Sequence, residues 1–192
     1  MEKLREKNLE FIKEIKKEDP SYFDRLKEGQ SPEYFVIACS DSRVCPSVIT
    51  QMPLGNLFIQ RNIANQVNEN DESLTASLYY ALKHLKVEKI IIKGHTGCGG
   101  VKAAAEGNDE PELKDWIDSI QSSLPAEKTD HSLDDLAKVN VLAQVEKLKQ
   151  HPTYIKHGKG VPVIGCMFHV ETGELEELET VGASAGDVEE TI

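Results

Sequence analysis

Two short stretches of the sequence hold residue types that bind metals and carry out acid–base chemistry. The first, ACSDSRVCPS at 38–47, places Cys39, Asp41 and Arg43 at alternate positions directly after the apolar run 34–37. The second, GHTGCGG at 94–100, places His95 and Cys98 directly after the isoleucine run 90–92. Core strands rarely end in such groups for stability alone, so both stretches are candidates for a functional site.

A metal site follows if the two apolar runs are neighbouring strands of one sheet. The functional crevice of an α/β sheet lies at the carboxyl ends of its strands, so Cys39, His95 and Cys98 would converge there. Two thiolates and an imidazole are a ligand set suited to Zn²⁺. Three protein ligands leave a fourth position for water, which is typical of a catalytic rather than a structural zinc.

Each cysteine alone also has a plain structural interpretation, since a cysteine in an apolar strand is most often a small core residue. We predict this packing role for Cys45 and Cys166. Cys39 and Cys98 differ from them because both fall at strand ends beside glycine or polar residues. No C-x-x-C pair is present, and we expect all thiols to be reduced.

Asp41 and Arg43 are two residues apart, so in extended chain their side chains point the same way and can pair. A surface ion pair would contribute only about 0–1 kcal/mol. Beside a metal, Asp41 could either fill the fourth position or accept a hydrogen bond from bound hydroxide. The planar guanidinium of Arg43 would then hold Asp41 off the metal.

The glycines of 94–100 allow His95 and Cys98 to turn toward one point. A glycine-rich turn that leads into a helix can also bind phosphate. Neither G-x-x-x-x-G-K-[ST] nor a G-x-G-x-x-G between a strand and a helix is present, which disfavours nucleotide binding.

The elements that must position these residues alternate between strands and helices. Strands are predicted at 34–38, 57–59, 87–93 and 161–168, and helices at 3–17, 21–27, 71–85 and 101–105 and from residues 110 and 132. The run Ile90–Ile92 suits a strand covered on both faces, and Ser132 with Asp135 resembles a capping box. This alternation predicts an α/β fold with a mostly parallel central β-sheet flanked by helices.

The length of 192 residues fits a single domain, 1–192, in which residues 1–28 form an N-terminal helical segment. The apolar stripe of the first helix either packs on its own domain or forms an arm that packs on a second subunit. A formal charge of −11 argues against nucleic acid as a partner. We find no membrane span, export signal or transit peptide and expect a cytoplasmic protein.

Three motifs in order, ACSDSRVCPS, RNIAN at 61–65 and GHTGCGG, resemble the β-class carbonic anhydrases. With GQSP at 29–32 they are most similar to the plant-type branch, and the similarity runs from about Gly29 to Ala104. The resemblance implies a zinc lyase in which zinc-bound hydroxide reversibly hydrates carbon dioxide to bicarbonate and a proton. Its zinc ligands would be Cys39, His95 and Cys98, with the Asp41–Arg43 dyad keeping the fourth zinc position open.

The resemblance also implies a homo-oligomer built from dimers, in which the N-terminal helices reach across to the partner. The pocket for CO₂ and bicarbonate would be partly supplied by a neighbouring subunit. Its residues would be Gln30, Phe58, Ile63, Tyr80 and Gly99. For the proton that leaves the site, candidate carriers are Tyr80, His84 and His131.

One position departs from the allosteric branch of that family, in which a tryptophan three residues before the first cysteine helps bicarbonate bind as an inhibitor. Here the position holds Val36, and the single tryptophan is Trp116. We therefore expect the open, water-bearing site. Two thiolates make zinc a weaker Lewis acid than three neutral histidines would, so activity should rise into mildly alkaline pH.

Two other functions stay open at this point. The chain could be a non-catalytic zinc-binding module if Asp41 permanently fills the fourth position, or a zinc hydrolase acting on a CO₂ analogue such as carbon disulfide. A cysteine-dependent phosphatase fails on spacing, because the arginine of Cys-x₅-Arg would have to stand where Cys45 and Ala104 are found.

Overall fold

The computed structural model of the chain describes residues 1–127 and 130–178. The strands are β1 (Tyr34–Cys39), β2 (Leu57–Asn62), β3 (Lys89–His95), β4 (Val163–Phe168) and β5 (Leu175–Leu178). The helices are α1 (Glu2–Glu18), α2 (Tyr22–Leu26), α3 (Pro46–Thr50), α4 (Glu72–Tyr80), α5 (Gly99–Glu106), α6 (Lys114–Gln121), α7 (Leu133–Gln150) and α8 (Pro152–His157). The single domain predicted for 1–192 extends beyond the described residues at 128–129 and 179–192.

The strands form one sheet in the order β2-β1-β3-β4-β5. β1 is parallel to both β2 and β3, and β3 is parallel to β4. β5 is antiparallel to β4 and follows it through a tight turn. The predicted α/β fold with a mostly parallel sheet is confirmed.

Local signals set most of the helix boundaries. The predicted capping box is confirmed: Ser132 Oγ accepts from the Asp135 backbone N–H at 3.1 Å, and Asp135 Oδ2 accepts from the Ser132 N–H at 3.2 Å. The helix predicted from residue 110 begins only at Lys114, because 110–113 form a turn closed by the Leu113 N–H on the Glu110 carbonyl. The helix predicted for 71–85 is α-helical only as far as Tyr80, and Ala81–Leu85 form a π-helical turn.

The sheet is buried on one face and open on part of the other. Ile90 and Ile92 are fully buried on the face against which α7 packs. Ile91 points the other way and, with Val36 and Ile164, lines an open groove of about 400 Å³. The prediction that this strand is covered on both faces is therefore wrong within the described residues, because side chains alternate along a strand and α7 covers one face.

Helix α1 contributes no buried residue to the fold. Its apolar side chains Leu4, Leu9 and Phe11 are 69%, 59% and 37% exposed. Among the described residues, no helix is both long enough and apolar enough to cross a membrane.

Close packing between β3 and α7 gives a test of how the sheet is held. A Cβ at Gly94 would overlap Val141 Cγ2 and lie 3.0 Å from Met167 Sδ. We expect Gly94→Ala to lower the free energy of unfolding by about 1–3 kcal/mol, the usual cost of overpacking a core. Urea denaturation measures it. Gly99→Ala is the matched control, because a Cβ there meets nothing within 4 Å; equal stability of the two variants would contradict this packing.

Candidate metal centre

The parallel sheet brings three ligand residues to one edge. Cys39 is the last residue of β1 and His95 the last of β3, and these strands are neighbours with Ala38 opposite Lys93. Cys98 directly precedes α5. One ligand atom from each of Cys39, His95 and Cys98 lies within 4.8 Å of the others, and all three residues are buried. The geometry therefore forms a compact S₂N set.

The orientation of the His95 ring leaves one nitrogen for a metal. Nδ1 lies 2.9 Å from the backbone carbonyl oxygen of Thr96, so Nδ1–H donates there and Nε2 carries the lone pair. Nε2 is buried and finds no hydrogen-bond partner among the residues that the structure describes. Buried polar nitrogens are seldom left unpaired, so Nε2 beside two thiols fits a metal ligand.

The two thiols are electrostatically coupled. A hydrogen bond from Cys98 lowers the pKa of Cys39, and the same bond together with burial raises the pKa of Cys98. A metal binds both sulfurs as thiolates, so metal binding would release protons from this pair. Two thiolates and one imidazole match the ligand preferences of Zn²⁺.

Asp41 and Arg43 form a two-pronged ion pair beside this cluster. Arg43 Nε lies 3.0 Å from Asp41 Oδ1 and Nη2 lies 2.7 Å from Oδ2, while the Arg43 backbone N–H also donates to Oδ1 at 2.9 Å. These hydrogen bonds hold the pKa of Asp41 far below its usual range. Asp41 Oδ2 lies 3.9 Å from His95 Nε2, so the carboxylate stands at the edge of the ligand set.

The candidate substrate residues are distributed over several elements. Ile63 lies against the start of α5, since a Cβ at Gly100 would come within 2.7 Å of Ile63 Cγ2. Gly99 is exposed at the same helix start. Phe58 packs on Tyr80 with ring centroids 5.9 Å apart, and Tyr80 packs on His84 at 5.1 Å.

Gln30 is exposed in the segment between α2 and β1. The other two cysteines stand apart from the cluster: Cys45 is half-buried before α3, and Cys166 is buried in β4. Burial raises the pKa of Cys166 to about 12, which makes its thiol unreactive. Its position is that of a packing residue.

Three residues that support the backbone around the candidate site were not predicted from the sequence. Arg61 on β2 donates from Nε to the Cys39 carbonyl at 2.9 Å and from Nη2 to the Asp41 carbonyl at 2.7 Å. Arg61 belongs to the RNIAN motif, but only its strand register opposite Ala38 shows what it contacts. Trp116 Nε1 donates to the Ile63 carbonyl at 3.0 Å, a contact for which the sequence gives no signal.

Lys93 is the third. It is 2% exposed, and Nζ donates to the Val44 carbonyl at 2.9 Å. Burial lowers the pKa of Lys93 to about 8. A lysine inside an otherwise apolar strand was the available signal, because a buried ammonium needs a partner.

The sequence and the fold are similar to those of several known proteins. The carbonic anhydrase family model matches residues 34–175. A carbonic anhydrase from Emericella nidulans is 35% identical over 188 residues, which cover 92% of this chain and 82% of the relative. The solved β-carbonic anhydrase CafA of Aspergillus fumigatus superposes with a TM-score of 0.86 at 33% identity, over 93% of this chain and 90% of that one.

A second solved structure, one of two tetrameric β-carbonic anhydrases from Sordaria macrospora, gives a TM-score of 0.83 at 30% identity, over 92% of this chain and 95% of that one. The fold and the site thus define an α/β protein of the carbonic anhydrase type with a buried Cys-His-Cys cluster. The chain belongs to the β-carbonic anhydrase family. The predicted enzyme class is confirmed, while assignment to the plant-type branch stays a prediction.

The cluster predicts which of the four cysteines bind the metal. We expect the purified chain to bind one Zn²⁺, and Cys39→Ala to lose it because one of the three candidate ligands is removed. Cys166→Ala is the matched control, a buried cysteine outside the cluster that should keep full zinc content. Elemental analysis after dialysis gives the stoichiometry, and circular dichroism checks that both variants are folded. Full zinc in Cys39→Ala would rule out this ligand set.

Proposed function

We propose that this chain reversibly hydrates carbon dioxide to bicarbonate and a proton, with Zn²⁺ held by Cys39 Sγ, His95 Nε2 and Cys98 Sγ. The observation that carries the proposal is the buried S₂N cluster beside an ionised Asp41–Arg43 pair. When bound there, Zn²⁺ would supply a Lewis acid that lowers the pKa of a water in its fourth position.

Asp41 is the group that orients the reacting water. Its Oδ2 stands on the side of His95 Nε2 and has lone pairs that can accept a hydrogen bond. That acceptor would fix the water's proton and direct an oxygen lone pair at the CO₂ carbon. Arg43 occupies both carboxylate oxygens and so opposes direct binding of Asp41 to the metal.

The pH dependence follows from the same pair. Because Arg43 holds the pKa of Asp41 far below neutrality, Asp41 is ionised throughout pH 6–9 and cannot itself cause a rise of activity in that range. The rise expected into mildly alkaline pH therefore belongs to the reacting water, whose acidity two thiolate ligands moderate.

The substrate pocket in this proposal comprises Gln30, Phe58, Ile63, Tyr80 and Gly99. Ile63 offers an apolar wall next to Gly100 at the start of α5, which suits a small nonpolar substrate. The stack of Phe58 on Tyr80, continued by His84, and the exposed Gln30 would complete the pocket from a neighbouring subunit. The contact of His84 with Tyr80 favours His84 as the carrier of the released proton.

We further propose a homo-oligomer built from dimers, in which α1 packs on a second copy. Two observations support it: α1 buries none of its residues, and the sheet leaves the groove around Ile91 open. The similar Sordaria macrospora enzyme is described as tetrameric. A cytoplasmic location also belongs to this proposal, since the four cysteines are all free thiols.

Stopped-flow CO₂ hydration tests the activity. We expect zinc-loaded wild type to be active, with a rate that rises between pH 6 and 9, and Asp41→Ala to lose about 100-fold while keeping its zinc, the lower end of what a positioned acid–base group contributes. Glu146→Ala, which removes an exposed carboxylate on α7, should match wild type. Zinc without activity at any pH would instead identify a non-catalytic zinc module, and activity confined to a CO₂ analogue would identify the related hydrolase.

Light scattering coupled to size-exclusion chromatography tests whether α1 packs on a second copy of the chain. We expect a mass of at least twice the 21.4 kDa of one chain, because the apolar face of α1 needs a partner surface. The double variant Leu4→Glu/Phe11→Glu places charges on that face and should run as a single chain. Leu9→Glu is the control, since Leu9 lies off the face that Leu4 and Phe11 share. A wild type of 21.4 kDa would contradict the proposal.

A further inference from the structure

The backbone of Gly97, which lies between the two candidate ligands His95 and Cys98, is hydrogen-bonded by side chains from two other segments. Its N–H donates to Asp134 Oδ1 at 2.8 Å. Its carbonyl accepts from Arg43 Nη2 at 3.2 Å. Asp134 lies in the first turn of α7, so one residue of the ligand loop links that helix to the Asp41–Arg43 pair.

Gly97 can make both bonds because of its backbone conformation. Its φ is +62°, in the left-handed region that glycine enters without strain. A Cβ there would meet no atom of the described residues within 4 Å, so side-chain packing at this position does not set its orientation. The two hydrogen bonds are what orient this residue and, with it, the direction of its carbonyl.

The Gly97 carbonyl is a second anchor for the Arg43 side chain, in addition to Asp41. The Arg43 side chain is 51% exposed and that of Asp41 is 19% exposed, so the pair is not enclosed by the core. The same Nη2 that binds Asp41 Oδ2 also binds the Gly97 carbonyl. If the carbonyl turns away, Arg43 loses the contact that fixes it next to the ligand loop.

We propose that Asp134 is a positioning residue of the reaction: it fixes Gly97, the Gly97 carbonyl anchors Arg43, and Arg43 keeps Asp41 off the metal. This inference rests on the proposed function. Loss of Asp134 would free Asp41 to compete with water for the fourth position, and a competing carboxylate raises the pH at which the site becomes active.

Asp135, the next residue on the same helix turn, offers a matched control. Both carboxylates lie in the first turn of α7 and favour the positive end of its helix dipole. The Asp135 carboxylate turns back to Ser132 in the capping box, whereas Asp134 reaches out to Gly97. An effect of the helix terminus alone would therefore appear in both variants, and an effect through Gly97 only in Asp134 variants.

The test compares wild type with Asp134→Ala, Asp134→Asn and Asp135→Ala by two pH profiles: CO₂ hydration by the zinc form and the visible spectrum of the Co²⁺-loaded form. We expect Asp134→Ala to raise both midpoints by about 0.5–1 pH unit. This shift is a change of about threefold to tenfold in the equilibrium constant of the transition, which is the size of effect that one hydrogen bond contributes. Asp134→Asn keeps an amide oxygen that can accept from Gly97 and should restore the wild-type midpoints. Asp135→Ala should lower the melting temperature and leave both midpoints in place.

An active wild type with unchanged midpoints in Asp134→Ala would overturn the role of Asp134 and leave the proposed function intact. Equal shifts in Asp134→Ala and Asp135→Ala, or no restoration by Asp134→Asn, would overturn it as well. If Asp134→Ala does not fold, Asp134→Glu displaces the acceptor on a longer side chain and is expected to raise the midpoints in the same way. A wild type without zinc and without activity would instead defeat the proposed function itself.

Discussion

The parallel pairing of β1 with β3 brings two strand ends to the same edge of the sheet, and the candidate site depends on that pairing. Its register, Ile37 opposite Ile92 and Ala38 opposite Lys93, is fixed by burial, since both Ile37 and Ile92 are fully inaccessible. A slip of one residue would turn the apolar set outward and Cys39 away from His95. Core packing thus sets the distance between the candidate metal ligands Cys39 and His95.

The loops that follow these strands are held by cations that donate to backbone carbonyls. Arg61 binds the carbonyls of Cys39 and Asp41, Lys93 binds that of Val44, and Arg43 binds that of Gly97. Burying the Lys93 ammonium is costly, and its lowered pKa reflects that cost. The cations fix the backbone around the cluster while leaving the Asp41 carboxylate with Arg43 as its principal partner.

Residues at strand ends could be predicted from the sequence because a short-range pattern marks them. Cys39, His95 and Cys98 each follow or adjoin an apolar run. Because parallel strands have their carboxyl ends at the same edge of the sheet, the three residues are expected to meet there. Arg61, Trp116 and Asp134 could not, because their contacts depend on register and on how helices approach the loops. The open face around Ile91 was missed for a related reason: a β-branched run shows that a strand is apolar, not which of its faces a helix covers.

Anomalous diffraction at the zinc edge from crystals of the zinc-loaded protein would locate the metal and its ligands. We expect one strong peak bonded to Cys39 Sγ, Cys98 Sγ and His95 Nε2, at about 2.3 Å from the sulfurs and about 2.0 Å from the nitrogen. Asp41 should remain paired with Arg43, as its two hydrogen bonds of 3.0 and 2.7 Å indicate. A peak elsewhere would rule out this ligand set, and Asp41 Oδ2 bonded to the metal with Arg43 released would rule out the proposed role of the pair.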